Sequence, residues 1–460
     1  MSPKVLKFGG TSVGSAEALL RTTSIIRNEL PRGGLVVVSA LSGTTDAILQ
    51  ALRFASDGDL PEAKSAIQTL RAHHEGVAHD LGLLPYIEEV WGPLFRRLLG
   101  LLEGVGALCE VRPKTKDAAL AIGETLSAHL ATALFRSSGL KASFAEARDV
   151  IKTDGRHGCA TPRPAAIRAA AAPWKFRIQK EELLVTQGFI GTGPDGSTTT
   201  LGRGGSDTSA SLFGEALEAT EVQIWTDVDG VLSADPSLIS NARPISRMSI
   251  AEAQALSSFG AKVLHAGCLA PVARARIPLV VANTHRADGA EDPYATRTTI
   301  TVDAPWREPG SVLSVAYKED LAMVRLPPEE DLARAIQLET ELREAGATRF
   351  AFLAGPEGTV LVVRPEGPRC ESILANLGDD GFSVERDWAL VALVGEGLRA
   401  TPDAVLRLLA PFHLDRIGGV FSGASPISLA FLVPQERLLD LVPRLHHLWI
   451  EQPELSKETA

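Results

Sequence analysis

Cysteine is scarce in this chain. Its 460 residues hold four, Cys109, Cys159, Cys268 and Cys370, and no two lie close enough for a metal knuckle or a redox pair. That usage argues against a disulfide scaffold and fits free thiols in a reducing compartment. A basic excess is also lacking: 46 Lys and Arg stand against 56 Asp and Glu, a net charge of -10. Such a balance speaks against a nucleic-acid or anionic-membrane binder, while local basic pockets remain open. No apolar run approaches the roughly 20 residues of a membrane span, and no basic segment leads into an apolar stretch and a cleavage site at the N-terminus. A soluble cytoplasmic protein is expected.

What is present is ordinary globular composition, 45% hydrophobic and 22% charged. The length calls for two or three domains. Short β-branched runs at 5–8, 35–39, 183–190, 222–225 and 279–283 read as strands, and Ala/Leu-rich stretches at 16–30, 118–137, 208–217 and 250–259 as helices. Apolar strands without alternation, separated by helices, predict an α/β fold whose mostly parallel sheet is sandwiched by helices. Residues 47–115 read as helices throughout, a lobe beside the sheet. Near residues 305 to 315 ("PWREPGSVLS") the rhythm changes to smaller units of strand, helix and paired strands. Two such units of similar length suggest a duplicated small α/β module. The boundary is set near Pro309, giving domains at 1–308 and 316–460, the latter divided at about 316–386 and 387–455.

The stretch "KVLKFGGTSVGSAEALL" (4–20) runs from a strand through Lys7, Phe8, Gly9, Gly10, Thr11 and Ser12 into a helix. Glycines let the backbone approach an anion, a helix N-terminus presents free N–H groups, and a lysine adds a mobile cation. The arrangement suits phosphate, although the spacing is neither that of a Walker loop nor that of a dinucleotide fingerprint. A plain strand-to-helix turn is the alternative. Four more stretches place polar residues and glycines where a doubly wound sheet binds its ligand. "VVVSALSGTTD" offers Ser39, Thr44, Thr45 and Asp46; "AIGETLSAHL" puts Glu124 near a helix start; "TTTLGRGGSDTSASL" combines Arg203, Gly204, Gly205, Ser206 and Asp207; "IWTDVDGVLSADP" ends a strand in Thr226 and Asp227.

Together "KFGGTSV", "TTTLGRGGSD", "IWTDVDGV" and "FGAKVLH" (259–265) resemble the motifs of the aspartate kinases, within the amino-acid kinase family, in that family's order. The resemblance spans the chain and is strongest at 4–50 and 184–284. It implies the amino-acid kinase fold followed by two small ferredoxin-like ACT modules. It also implies phosphoryl transfer from ATP, with Mg²⁺, to the side-chain carboxylate of L-aspartate, the first step of lysine, threonine and methionine biosynthesis. Carried onto this chain, the resemblance makes Lys7 and Asp207 the catalytic pair. Lys7, Phe8, Gly9, Gly10, Ser39, Thr226, Asp227, Leu232, Ser237 and Lys262 become ATP contacts, and Thr45, Glu124, Arg203 and Ser206 substrate contacts. No protein metal cluster is implied. Each residue has a plainer alternative: a surface salt bridge for Arg203, an exposed helix charge for Glu124, a helix N-cap for Asp207. His265 reads as structural, because transfer to an already ionised carboxylate needs no proton shuttle.

The chain departs from the pattern in places. Leu232 and Ser237 stand where relatives often have a tyrosine and an arginine, "LHA" (264–266) replaces "LHP", and "GSDTSA" lacks an aromatic after Asp207. These bear on nucleotide affinity rather than reaction type. A kinase for glutamate, one methylene longer, and a catalytically silent effector-binding protein are the competing readings; a second catalytic domain is not expected. ACT modules bind amino-acid effectors between subunits, so a homodimer or dimer of dimers is expected. The second module matches its family in "LVALVGEGL" and "FSGASPISLAFLV". In the first, "LPPEEDLARA" takes the place of a Met- and Gly-containing loop, and "FLAGPEGTVLVV" that of a Ser-Glu-x-Ser strand. The proline pair removes loop amides, and the run Glu329–Asp331 would repel an effector carboxylate. Lysine at micromolar concentration is therefore expected to leave the initial rate unchanged; half-inhibition in that range refutes this.

Overall fold

The computed structural model describes residues 2–260, 264–287, 296–303, 305–326, 332–355, 358–378, 382–400, 417–421 and 426–452. The chain divides into two units, Met1–Val231 with Pro244–Ala253 and Lys262–Pro305, and Leu232–Arg243 with Gln254–Ala261 and Trp306–Ala460. The division near Pro309 expected from sequence thus gains two excursions: residues 232–243 and 254–261 precede it in sequence but join the second unit.

The first unit is built on an eight-stranded sheet. In chain order its strands are β1 (Lys4–Phe8), β2 (Gly34–Val38), β3 (Ala142–Phe144), β4 (Leu183–Gln187), β7 (Glu221–Thr226), β8 (Arg247–Ser249), β9 (Leu279–Asn283) and β10 (Thr298–Thr301), with a separate hairpin of β5 (Ile190–Thr192) and β6 (Thr198–Thr200). The order across the sheet is β3-β4-β2-β1-β7-β9-β10-β8, parallel throughout except for β9 against β10. Strands β2, β4 and β9 are buried at every residue, as a sheet covered on both faces requires. Alternation then sorts side chains between the faces. On β1, Leu6 and Phe8 enter the large core with Val36, Val38, Val185 and Trp225. Lys7 turns to the opposite face, where the helix Gly205–Leu217 packs on β1, β2 and β7. On that face Trp174 stacks on Phe213 with ring centroids 5.2 Å apart.

Helices Thr44–Ser56, Leu60–Asp80 and Leu84–Leu108 occupy most of the stretch read as helical. They do not form a lobe beside the sheet. Ile48, Leu52, Ile67, Leu70, Trp91 and Phe95 share one core with Leu6, Phe8 and Val36, so the helices are a layer on one face. The helix Pro113–Ser137 begins earlier than expected, with proline in its first turn, a position where the missing N–H costs nothing. Glu124 therefore sits mid-helix rather than near a start. This helix is also the exception to the lack of long apolar runs: by length and composition it would cross a membrane, yet 89% of its apolar window is buried inside the fold. It is a core helix. The run 183–190 is two strands, because the chain turns at Gly188 and Phe189, the latter at φ 69°.

Among the described residues the second unit holds one antiparallel sheet of six strands, β11 (Ser314–Leu326), β12 (Thr348–Gly355), β13 (Gly358–Arg364), β14 (Ser383–Val394), β15 (Gly419–Phe421) and β16 (Ser428–Pro434), in the order β12-β13-β11-β14-β16-β15. Two ββ-rich modules lie side by side in it, but not as consecutive segments. Strand β11 carries a register shift between Lys318 and Leu321; beyond it residues 321–325 pair with 383–388, and before it 314–318 pair with 390–394. The first half of β11 is thus the closing strand of the second module, and the expected division at 386/387 falls inside β14. Residues 402–412 and the run Pro327–Asp331 lie outside the described residues.

Glycine fixes how closely the helix Gly205–Leu217 approaches the sheet. A Cβ on Gly214 would stand 2.4 Å from Val222 Cγ2 on β7. Gly214→Ala is expected to lower stability by about 1–3 kcal/mol despite the better helix propensity of alanine, measured as an earlier urea midpoint; an unchanged midpoint would show that the interface yields.

Candidate active site

The turns after β1, β2, β4 and β7 converge at one edge of the first sheet. After β1 the chain enters Gly9-Gly10, and the Gly9 N–H donates to the Trp225 carbonyl at 3.2 Å. A Cβ on Gly10 would stand 3.0 Å from the Ala40 carbonyl, so glycine is what lets the first turn lie against the second. Ser12 is a tie rather than a ligand group: buried, its Oγ lies 2.8 Å from Thr284 Oγ1. Thr11 is exposed. The helices starting at Gly10, Thr44 and Gly205 follow the glycine N-caps Gly9, Gly43 and Gly204, and no side chain caps any of them. The Thr44 and Gly205 N–H groups turn back to the Leu41 and Gly202 carbonyls, each at 3.0 Å, so it is the remaining first-turn amides for which no side chain competes.

Lys7 is buried, and its Nζ lies 2.5 Å from Asp207 Oδ1. Asp207 is third in its helix, behind the cap Gly204 at φ 68°, so the N-cap alternative does not hold. A Cβ on Gly204 would meet His265 Cβ at 2.3 Å. His265 caps the helix Ala266–Ala275, its Nδ1 accepting from the Gly267 N–H at 3.2 Å, a structural role as expected.

Glu124 comes to the same edge from the core helix. Burial pushes its carboxyl up from 4.5 to about 8, against the pull of an Ala40 backbone hydrogen bond and the Lys7 charge. Its Oε2 and the buried Thr44 Oγ1 have no hydrogen-bond partner among the described residues, and Thr44 Cγ2 lies 2.7 Å from where a Gly123 Cβ would be. Thr44 shares this enclosed spot, whereas the expected Thr45 is exposed in the first turn of its helix. Arg203 is exposed and makes no hydrogen bond or ion pair among the described residues. Ser206, half-buried, fills the space beside Gly188, where a Cβ would stand 2.6 Å from Ser206 Cβ. Phe189, which sequence reasoning passed over, receives no motif signal; its left-handed φ of 69° and the Phe189 N–H donated to Ser209 Oγ at 3.0 Å single it out.

The remaining expected contacts are scattered. Ser39 follows β2, its N–H donating to the Phe8 carbonyl at 3.1 Å. The Phe8 ring is fully buried and stacked on Trp225, centroids 6.2 Å apart, so its side chain packs the core and has no route to a ligand. Thr226 ends β7, its Oγ1 donating to Asp227 Oδ1 at 3.1 Å, and Asp227 is exposed. The neighbouring Asp229 is clamped by Arg286 and Asn283, each at 2.6 Å, and the Arg286 guanidinium holds its carboxyl below the usual range. Leu232 and Ser237 belong to the second unit, where Ser237 Oγ bonds Asp235 Oδ1 at 2.7 Å. Lys262 lies outside the described residues.

A parallel sheet whose C-terminal edge gathers a lysine, glycine turns and open helix amides defines a phosphate-handling α/β protein. The chain belongs to the amino acid kinase family, whose model matches residues 2–283. Within that family it is one of the aspartokinases. It is 40% identical over 399 residues to the aspartokinase of Chlamydia muridarum, 86% of either chain. It is 31% identical to the lysine-sensitive aspartokinase 3 of Escherichia coli, over 96% of this chain and 98% of that one. The crystal structure of E. coli aspartokinase III in complex with aspartate and ADP superposes with a TM-score of 0.81 at 30% identity, covering 96% and 99% of the two chains.

Glu124 holds its proton to about pH 8 when folded and to about 4.5 when unfolded. The folded state thus carries the extra proton between those values and loses stability as pH rises through them. Glu124→Gln has no such proton to lose. Its melting temperature should match that of the natural chain near pH 4 and exceed it by several degrees near pH 8.5; parallel curves would mean that Glu124 is ionised in the folded protein.

Proposed function

We propose that the C-terminal edge of the first sheet phosphorylates the side-chain carboxylate of L-aspartate with ATP, giving 4-phospho-L-aspartate. The observation that carries this reading is a set of three groups suited to charged ligands: the buried ammonium of Lys7, held by Asp207 at 2.5 Å, the exposed guanidinium of Arg203, which has no partner among the described residues, and the neutral buried carboxyl of Glu124. A nucleoside triphosphate suits the first, and an amino dicarboxylic acid the other two.

Arg203 grips the α-carboxylate with its fork, a geometry that lysine lacks. Glu124 takes the α-ammonium; the arriving cation offsets the burial that keeps Glu124 protonated, so its proton leaves as substrate enters. Thr45 and Ser206 remain hydrogen-bonding candidates, with Thr44 added. The β-carboxylate is then aimed at the γ-phosphorus. With a pKa about 3.9 it is already ionised. A P–O bond forms to the carboxylate oxygen, the bridging bond between the β- and γ-phosphates breaks, and ADP leaves with the electron pair; no general base is required. Lys7 neutralises charge on the moving phosphoryl group, held in place by Asp207, while the amides after Gly9 and Gly10 and the second amide of the helix Gly205–Leu217 face the phosphates. Thr226 and Asp227 are nucleotide contacts in this reading, with Ser39 beside them.

No group of three or more His, Cys, Asp or Glu comes together among the described residues. That suits Mg²⁺, which one or two carboxylates hold together with phosphate oxygens. Asp207 and Asp227 are the carboxylates at hand, and the ion would neutralise charge between the β- and γ-phosphates. Lysine is bound with aspartate in a T-state structure of the E. coli relative. We infer an amino-acid effector for the second unit here, with lysine weak or ineffective, and a homo-oligomer formed through that unit. The cytoplasm is the compartment this reading assigns.

Purified protein with ATP and Mg²⁺ should yield hydroxylamine-trapped acyl phosphate with L-aspartate and far less with L-glutamate. Lys7→Ala should lower kcat about 100-fold or more, whereas Arg203→Ala should act chiefly on KM for aspartate. Absence of hydroxamate with either acid sinks the reading, and equal yields from both would reassign the substrate.

A further inference from the structure

Among the described residues Arg203 has no side-chain partner, and its backbone sets where it stands. That backbone is a tight turn, with the Gly205 N–H donating to the Gly202 carbonyl at 3.0 Å and Gly202 and Gly204 both left-handed, at φ 77° and 68°. The helix starting at Gly205 fixes the exit of the turn. Its entry is Thr200, the last residue of β6, and Thr200 is held by a residue that no motif singled out, Asp117.

Asp117 is fully buried, and four donors converge on its carboxylate. Thr200 gives its hydroxyl at 2.7 Å and its N–H at 3.1 Å. The Gly158 N–H and His157 Nδ1 each donate at 3.0 Å. The loop so anchored returns to the same strand: the Ala160 N–H donates to the Thr200 carbonyl at 2.8 Å, and a Cβ on Gly202 would stand 3.3 Å from the Gly158 carbonyl. One carboxylate therefore holds both the strand that leads into the Arg203 turn and the loop that backs it. Asp117 and Glu124 lie on one unbroken helix, Pro113–Ser137. Their seven-residue separation is about two turns, which puts both side chains on one face about 10 Å apart along the axis.

We propose that Asp117 is a positioning residue for Arg203, and that its helix acts as a ruler between the group that takes the α-carboxylate and the group that takes the α-ammonium. This rests on the reading of Arg203 and Glu124 given above. Asp117 touches no substrate. It selects for an α-amino acid by holding the turn at a fixed distance from Glu124, and it has no part in nucleotide binding.

The test is a double-mutant cycle in the full-length chain, with steady-state kinetics and thermal melts for Asp117→Asn, Arg203→Ala and the double variant. The amide of Asp117→Asn would turn a donor toward N–H groups. Its KM for aspartate should rise about ten-fold with kcat and KM for ATP within about two-fold, and in the Arg203→Ala background the same change should have no further effect on KM for aspartate. Thr200→Val, which removes one donor only, should give a smaller shift of the same kind and serves if Asp117→Asn melts too low to assay. Equal effects of Asp117→Asn with and without Arg203, or losses spread over aspartate, ATP and kcat alike, overturn the proposal and leave Asp117 a stability residue. An Arg203→Ala variant with unchanged KM for aspartate would instead remove the substrate reading of Arg203, and the ruler with it.

Discussion

A buried ammonium needs a counter-charge, and the edge of the first sheet is organised around that need. Lys7 lies on a strand covered on both faces, where an unpaired charge would cost several kcal/mol. Asp207 answers it at 2.5 Å, and in doing so fixes the start of the helix that carries it. The helix start in turn dictates Gly204, which has no room for a side chain beside His265, and the turn that sends Arg203 outward. One ion pair thus sets the relation between the strand bearing the lysine and the loop bearing the guanidinium.

The same edge leaves other charges unanswered. Glu124 is neutral for want of a cation close enough to offset its burial, and Arg203 has no partner among the described residues. Three helix starts there have no side-chain cap, but neither have helices elsewhere in the chain, such as Leu84–Leu108 and Pro164–Ala170, so the charged side chains, not the helix ends, single out this edge. A protein selected only for stability would pair the buried carboxyl of Glu124 or replace it with an apolar residue.

Much of this was legible in the sequence, for physical reasons. Strand β9 was read to the residue and β1, β2 and β7 to within one at each end, because buried parallel strands are continuous apolar runs. The glycine-flanked polar residues stood out because phosphate chemistry uses few residue types. What the sequence hid is relational. Phe8 looks like a loop-edge contact but packs against Trp225, which comes from a strand more than 200 residues away. Glu124 appeared to begin a helix because the polar segment 113–117 has no apolar periodicity; its Asp117 faces inward to hydrogen bonds that only the fold supplies. Thr44 and Thr45 are indistinguishable in sequence, and only the helix phase decides which is enclosed. Nothing local in β11 shows that its two halves serve different modules.

That split strand has a consequence for synthesis. The first module can close once residues 321–388 have emerged, since its pairs lie within that span. Residues 314–318 leave the ribosome earlier still, yet their sheet partners are 390–394, which are flanked on their other side by β16 at 428–434. The first part of the sheet to be made thus waits for its partner until the strands of the first module have all been made. Five apolar-rich residues wait with an unsatisfied edge while more than 70 others are translated, an interval in which nascent neighbours on one message compete for the same hydrogen bonds.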